Sequence, residues 1–250
     1  MQSCATLCSL ETIAPLRENY RAERKWQIVH DSIVDRPGWT SIYLLTIGDV
    51  PVGYGLVAIA GPWRDRPTIL QFHLEPEGQT RAFELFETLL DASGAKHIEM
   101  QSSDRLLHAM LHTYAREISA EKIVFEDRVT TTLPANGAVL HAATPGEEIR
   151  SAIEDRAGGG EWRLEVDGTT VATAGILFHY NRPYGDIYME VLAPFRRRGY
   201  GAYIVQEVKR LAYELGTIPA ARCSPDNAAS RRTLQKAGFV PFAAIVNGTL

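Results

Sequence analysis

Apolar and polar positions along this chain fall into short alternating runs, set apart by turn residues. Ile42–Ile47 reads as a strand, Gly48-Asp49 as a turn and Val50–Ala60 as the returning strand. Trp162–Val166, Asp167-Gly168 and Thr169–Phe178 repeat that pattern, and an Asp-Gly pair between alternating runs is a strong hairpin signal. A third strand follows each hairpin, Ile69–Leu74 in the first half and Ile187–Leu192 in the second. The pattern then switches to a helical period. Ile204, Val208, Leu211 and Leu215 share one face, with Gly216 as the stop and Pro219 beyond it. Phe83, Phe86 and Leu90 form the matching core-facing stripe, ended by Gly94.

Each half continues with a short strand and a second helix, and corresponding elements lie about 120 residues apart. The reading is an α/β (α+β) protein of two tandem units, each a mixed, mostly antiparallel sheet flanked by helices. The break Leu133-Pro134-Ala135-Asn136-Gly137 divides the chain into residues 1–133 and 138–250.

Composition narrows the class. With 45% hydrophobic and 22% charged residues the chain is globular, and no run of 18 apolar residues offers a membrane span. The amino terminus lacks the pattern of a secretory signal, and three cysteines (Cys4, Cys8, Cys223) are too scattered for a disulfide framework, so a cytoplasmic location is expected. No metal-ligand spacing is read. The net charge of −4 argues against nucleic-acid binding. From Ala138 onward, however, thirteen Lys and Arg stand against twelve Asp and Glu, which places any anionic ligand in the second half.

The most informative stretch is Val191-Leu192-Ala193-Pro194-Phe195-Arg196-Arg197-Arg198-Gly199-Tyr200-Gly201-Ala202, a buried strand running through a basic glycine turn into a helix. The helix's first-turn amides and the arginines would cradle a phosphate or pyrophosphate. An ordinary turn with solvated arginines fits this stretch taken alone equally well. It is neither a P-loop nor a dinucleotide fingerprint, because the Gly-Lys-Ser/Thr ending and the three-glycine spacing are missing.

Arg196-x-x-Gly199-x-Gly201, with Val191 five positions before the arginine, resembles the acyl-CoA signature of the GNAT acetyltransferase superfamily. Asn227-Ala228-Ala229-Ser230, closing in Gly238-Phe239, resembles that superfamily's second motif, so the likeness covers Ala138 to Leu250. It implies acetyl-CoA as co-substrate with no metal, and a primary-amine acceptor, here a small molecule, attacked directly on a monomeric or homodimeric enzyme. It also implies a β-bulge that splays the third strand from its neighbour. Val191 and Ala193 would then meet pantetheine, with the thioester-oxygen donor near Val191. Backbone from Arg196, Arg197, Arg198, Gly199, Tyr200, Gly201 and Ala202 would hold the pyrophosphate, and Asn227, Ser230 and Arg231 would approach the CoA.

The first half reads Leu74-Glu75-Pro76-Glu77-Gly78 where the cradle should be, and two acidic residues there would repel a pyrophosphate. By analogy with two-unit members such as the mycothiol synthase type, residues 1–133 would be a degenerate, non-catalytic copy. Between Ala138–Ala143 and its hairpin the second unit has only Thr144–Glu161, where family members usually place two helices. The first half would replace part of that missing wall, so a 134–250 fragment would bind CoA but lose acceptor turnover.

The catalytic assignments are Glu190 and Asp186 as candidate bases, with Ser230 as a candidate proton donor. Glu190 and Asp186 alternate with Ile187, Met189 and Val191 and so share the opposite strand face; each also fits pairing with an arginine at the sheet rim. Leu234 stands where many members carry a proton-donating tyrosine. Ser230, Cys223 and Tyr203 are the substitutes, and solvent can also protonate the thiolate. His179 and Tyr180 would line an acceptor pocket or cap the sheet end. Transfer of a larger acyl group and a non-catalytic CoA sensor are the alternatives.

Overall fold

The structure, a computed structural model, describes residues 1–142 and 161–250. The shortened wall read at Thr144–Glu161 therefore lies outside the described residues, apart from the backbone of Glu161. Two compact units emerge. One is Met1–Glu121 with Ala243–Leu250, and the other is Lys122–Phe242.

In the first unit the order is β1 (Ser3–Cys8), α1 (Ala14–Glu23), β2 (Thr40–Ile47), β3 (Val50–Ala58), β4 (Thr68–Leu74), α2 (Pro76–Gln79), α3 (Ala82–Ser93), β5 (His97–Gln101) and α4 (Arg105–Tyr114). The first part of β6 (Arg116–Asp127) follows. The second unit takes the rest of β6, then β7 (Val139–Ala142), β8 (Glu161–Val166), β9 (Thr169–Leu177), β10 (Tyr184–Val191), α5 (Tyr200–Glu214), β11 (Ile218–Cys223) and α6 (Ala228–Lys236). The last strand is β12 (Phe239–Thr249). Both expected hairpins are present, β2–β3 and β8–β9, with Gly48 (φ +60°) and Gly168 (φ +72°) supplying the turns.

Among the described residues, β4 pairs with β5 and β10 with β11 in parallel, while β1–β2, β2–β3, β3–β4, β5–β12, β6–β11, β7–β8, β8–β9 and β9–β10 are antiparallel. The end of β12 belongs to the first unit, where Ile245–Thr249 pair with Gln101–His97 of β5. Ile123–Glu126 of β6 pair with Cys223–Ala220 of β11 in the second. The compact units thus divide at Glu121/Lys122 and Phe242/Ala243, not at the Pro/Asn/Gly break, because strand pairing outweighs a local loop signal. A fragment cut at 134 would lack the β6 edge that its own β11 pairs with.

The helical stripes differ from expectation in detail. On α5 the buried face is Ile204, Val205, Val208, Lys209 and Ala212, whereas Leu215 is 60% exposed because the helix has already ended at Glu214. On α3 the buried face is Ala82, Leu85, Phe86 and Leu89, and Phe83 lies outside it at 54% exposure. Three apolar residues in that stretch fit more than one helical face, and only the position of the sheet selects among them.

Lys209 is the one charged residue on the inner face of α5. Its ammonium pairs with Asp127 at 2.5 Å and donates to the carbonyls of Val129 (2.9 Å) and Ala237 (2.6 Å). Gly238 lies against that cluster at φ +93°, and a Cβ there would overlap the Val129 carbonyl. The Gly-Phe ending of the second motif is therefore structural: the glycine admits the lysine's partners and Phe239 is buried beneath them. Gly238→Ala should cost about 2–4 kcal/mol in urea unfolding, from backbone strain plus overpacking. A loss under about 0.5 kcal/mol would show that the junction relaxes freely.

Candidate functional site

In the second unit β10 stays in register with β9 along its length, from Asp186↔Leu177 to Val191↔Ala172. Its parallel pairing with β11 covers only Tyr184↔Ile218, Gly185↔Pro219 and Asp186↔Ala220. Beyond Asp186 the two strands part. The expected splay is present, but no bulge interrupts β10 against β9; the separation arises where the β11 pairing ends. A cleft of about 250 Å³ fills the fork. Ile187, Tyr188 and Met189 line it from β10, Arg222 and Cys223 from β11, and Ser230 and Leu234 from α6, together with Lys122, Leu177, Asp186 and Ser224.

Alternation fixes which backbone groups face the fork. The Leu192 amide donates to the Val171 carbonyl on the β9 side (3.0 Å). The amide and carbonyl of Val191 are therefore directed to the opposite, unpaired edge. The Arg196 Nε donates to that Val191 carbonyl at 3.0 Å. Val191 thus presents backbone polar groups at the edge away from β9.

The turn after β10 makes one 3₁₀ turn over Ala193–Phe195 and runs extended through Arg196. It then takes positive φ at Arg197 (+63°) and Gly199 (+90°) before entering α5. Gly199 is the N-cap and supplies no side-chain cap, and the first intrahelical bond runs from the Tyr203 amide to the Gly199 carbonyl (3.1 Å). The amides of Tyr200, Gly201 and Ala202 precede that bond, at the positive end of a 15-residue helix. Arg196, Arg197 and Arg198 are all exposed around them. The side chains of Tyr200 and Ala202 are buried in the core, so only their backbone can serve a ligand. Asn136 Nδ2 fixes the turn from outside by donating to the Arg198 carbonyl (3.2 Å). At Gly201 the helix packs tightly, since a Cβ there would sit 3.2 Å from Val191 Cγ2 and 3.3 Å from Thr233 Cγ2.

The structure brings Asp186 and Ser230 to the cleft but leaves Glu190 exposed and outside its lining. Asp186 is buried at the point of the fork. Its Oδ2 meets Arg222 Nε at 3.2 Å and His179 Nε2 at 3.1 Å. Tyr180 is buried beside it, and burial together with the Asp186 charge pushes its phenol well above the usual range. His179 and Tyr180 thus gather around a carboxylate. Asn227 caps α6, its Oδ1 accepting from the Ser230 amide at 3.0 Å. Arg231 lines a separate cleft of about 320 Å³ with Arg232, Gln235 and residues of β6. Leu234 is buried core, so no hydroxyl stands at the usual proton-donor position. Burial raises the Cys223 thiol above its ordinary value, against lowering by its hydrogen bond to Ser230 and the charges of Arg231 and Lys122.

Tyr188 and Arg222 were not among the sequence candidates. Tyr188 lies across Gly175 of β9, its cross-strand partner, where a Cβ would overlap the phenol ring. A glycine inside an otherwise apolar strand was the available signal. Arg222 and Lys122 carry no local signal, because strands distant in sequence bring them to the fork.

The first unit repeats the fork and fills it. β4 pairs with β5 only at Thr68↔His97 and Ile69↔Ile98. Tyr20, Ile28, Val29 and His30 close the space beyond, leaving about 20 Å³. The Tyr20 hydroxyl donates to Asp104 (3.0 Å) and Arg24 pairs with the same carboxylate at 3.1 Å. In place of a basic turn stands α2, with Glu75 held by Asn19 Nδ2 (2.9 Å) and His73 (3.3 Å).

A family profile for the GNAT acetyltransferases matches residues 131–239. A comparison with curated protein sequences returned no match. Among solved structures, a GNAT-family acetyltransferase from Colwellia psychrerythraea is 14% identical with a TM-score of 0.77, covering 98% of this chain and 99% of its own. A tandem GNAT protein from the clavulanic acid biosynthesis pathway is 14% identical with a TM-score of 0.63, covering 100% and 98%. A GCN5-related N-acetyltransferase from Sphaerobacter thermophilus is 13% identical with a TM-score of 0.61, covering 99% and 95%. Residues 131–239 are an acetyltransferase domain of the GNAT family, the family of acyl-CoA-dependent N-acyltransferases, in a chain that shares its fold with solved GNAT proteins over its whole length.

Proposed function

We propose that the second unit binds acetyl-CoA and transfers its acetyl group to a primary amine of a small molecule by direct attack. The observation that carries this reading is the junction of the β10–β11 fork with the uncapped, arginine-flanked start of α5. The pyrophosphate would rest on the amides of Tyr200, Gly201 and Ala202, where helix dipole and guanidinium charge act together. Pantetheine would run along the open edge of β10 with the thioester carbonyl at the Val191 amide. That amide would stabilise the oxyanion formed when the neutral amine attacks. Collapse of the tetrahedral intermediate breaks the C–S bond and releases the CoA thiolate.

Asp186 is reassigned from candidate base to positioning residue, because Arg222 and His179 already occupy its carboxylate. Glu190 follows Tyr188 on the same strand face and adjoins Val191, so it would take the amine proton through a water. Tyr188, Cys223, Ser224 and Ser230 all bring proton-bearing groups to the cleft, and of these Cys223 and Ser230 would take the place of the missing tyrosine. A thiol held protonated by burial can return a proton to the leaving thiolate. The first unit is read as non-catalytic, a reading supported by its filled fork and by Glu75 at its turn.

Arg197→Glu in the full chain should weaken acetyl-CoA binding at least about tenfold by calorimetry, about 1.4 kcal/mol. Unchanged affinity would remove the cradle assignment, and full binding with both Arg197→Glu and Gly201→Glu present would place a competent site in the first unit. Asp186→Asn should lower stability by about 1–3 kcal/mol, less than for a fully buried pair because Arg222 is part-exposed. Its pH–rate profile should keep the shape of the wild type; loss of the acidic limb would restore Asp186 as the base. Alkylation at pH 8 should label exposed Cys4 well before Cys223, whose thiol burial holds protonated, with the gap narrowing as the pH is raised further. Equal rates at pH 8 would show that the Cys223 thiolate is already available.

A further inference from the structure

On α4 of the first unit, His108 and His112 stand one turn apart. Their Nε2 atoms are 3.2 Å from each other and their rings lie nearly perpendicular, with centroids 4.6 Å apart. The helix is anchored from below. Leu107, Met110 and Leu111 are buried, and Asp104 caps the first turn by accepting from the Leu107 amide at 3.2 Å. The histidines occupy the outer side, His108 half-buried and His112 exposed. From the geometry we propose that this pair is a chelating site for a divalent transition-metal ion of the zinc type, independent of the acetyltransferase cleft.

A tetrahedral zinc with Zn–N bonds of about 2.0–2.1 Å holds two ligand nitrogens about 3.3–3.4 Å apart. The observed separation differs from that by about 0.2 Å or less, so both rings can bind one ion through small side-chain rotations. In the free protein the two nitrogens share one hydrogen bond. Metal binding replaces it, with both rings neutral and their protons on Nδ1. Among the described residues no group of three or more His, Cys, Asp or Glu forms a metal cluster, so water completes the coordination. Arg105, one turn earlier and exposed, adds a nearby cation. The attraction therefore comes from imidazole donation and chelation rather than from a negative field, which favours zinc or copper over magnesium or calcium. Two ligands on one rigid helix bind without ordering a loop, so the ion would clamp the last turns of α4 and stabilise the folded state.

The test is Zn²⁺ titration of the untagged full chain, read by calorimetry and by the ring ¹⁵N resonances of its histidines. One equivalent should bind, shifting the ring nitrogens of His108 and His112 first, and the unfolding midpoint should rise with zinc concentration. His108→Gln and His112→Gln should each weaken that binding at least about tenfold. Acetyl-CoA binding should be unchanged in both, a control that also reports folding and keeps this result separate from the cradle. Zinc that leaves these two rings unshifted at one equivalent, or binds both variants as tightly as the wild type, would overturn the proposal and leave a simple histidine–histidine hydrogen bond.

Discussion

The second unit of this protein depends on one strand losing a neighbour. β10 is held by β9 from Asp186 to Val191 but by β11 only as far as Asp186. Backbone amides and carbonyls on the freed edge must find other partners, since unpaired polar groups are costly once buried. The Val191 carbonyl takes the Arg196 side chain, and the Val191 amide is directed to the edge away from β9. The Asp186–Arg222 pair sits where the strands diverge, a charged rivet between β10 and β11. Its removal would loosen the geometry that aims Val191 and the turn beyond it.

A second fastening holds the helices that frame the fork. Lys209 is buried on the inner face of α5 with its charge matched by Asp127 and its ammonium donating to two carbonyls. A single side chain thereby ties α5 to β6 and to the end of α6. Gly238 and Phe239 make room for that knot, which explains why α6 is followed by a small residue with positive φ.

The two units show how one architecture diverges through its side chains. Each has a hairpin, a third strand, a parallel fork and a helix whose N-cap is Asp104 or Asn227. In the first, an aromatic ring and a loop fill the fork and a buried ion network replaces open space. In the second, the fork holds a cleft and the adjoining turn is basic. Closing a fork with Tyr20 and Ile28–His30 gains packing and removes the room a pantetheine arm would need.

The sequence by itself determined the element order, the repeated hairpins and the glycine turn. Alternation, Asp-Gly turns and helix stops are local signals, set by backbone conformations that only a few residues adopt. It also placed Val191, the arginines and the Gly199–Ala202 turn together, because strand, turn and helix are contiguous there. Tertiary structure decided the rest. It turned Asp186 toward Arg222 and His179, left Glu190 exposed, and brought Tyr188 over Gly175. It also drew the unit boundaries through β6 and β12 rather than at Pro134. These outcomes rest on pairings between strands far apart in the chain. Hydrogen bonding across a sheet is satisfied by whichever strand arrives beside it, and no local pattern of residues records which one that will be.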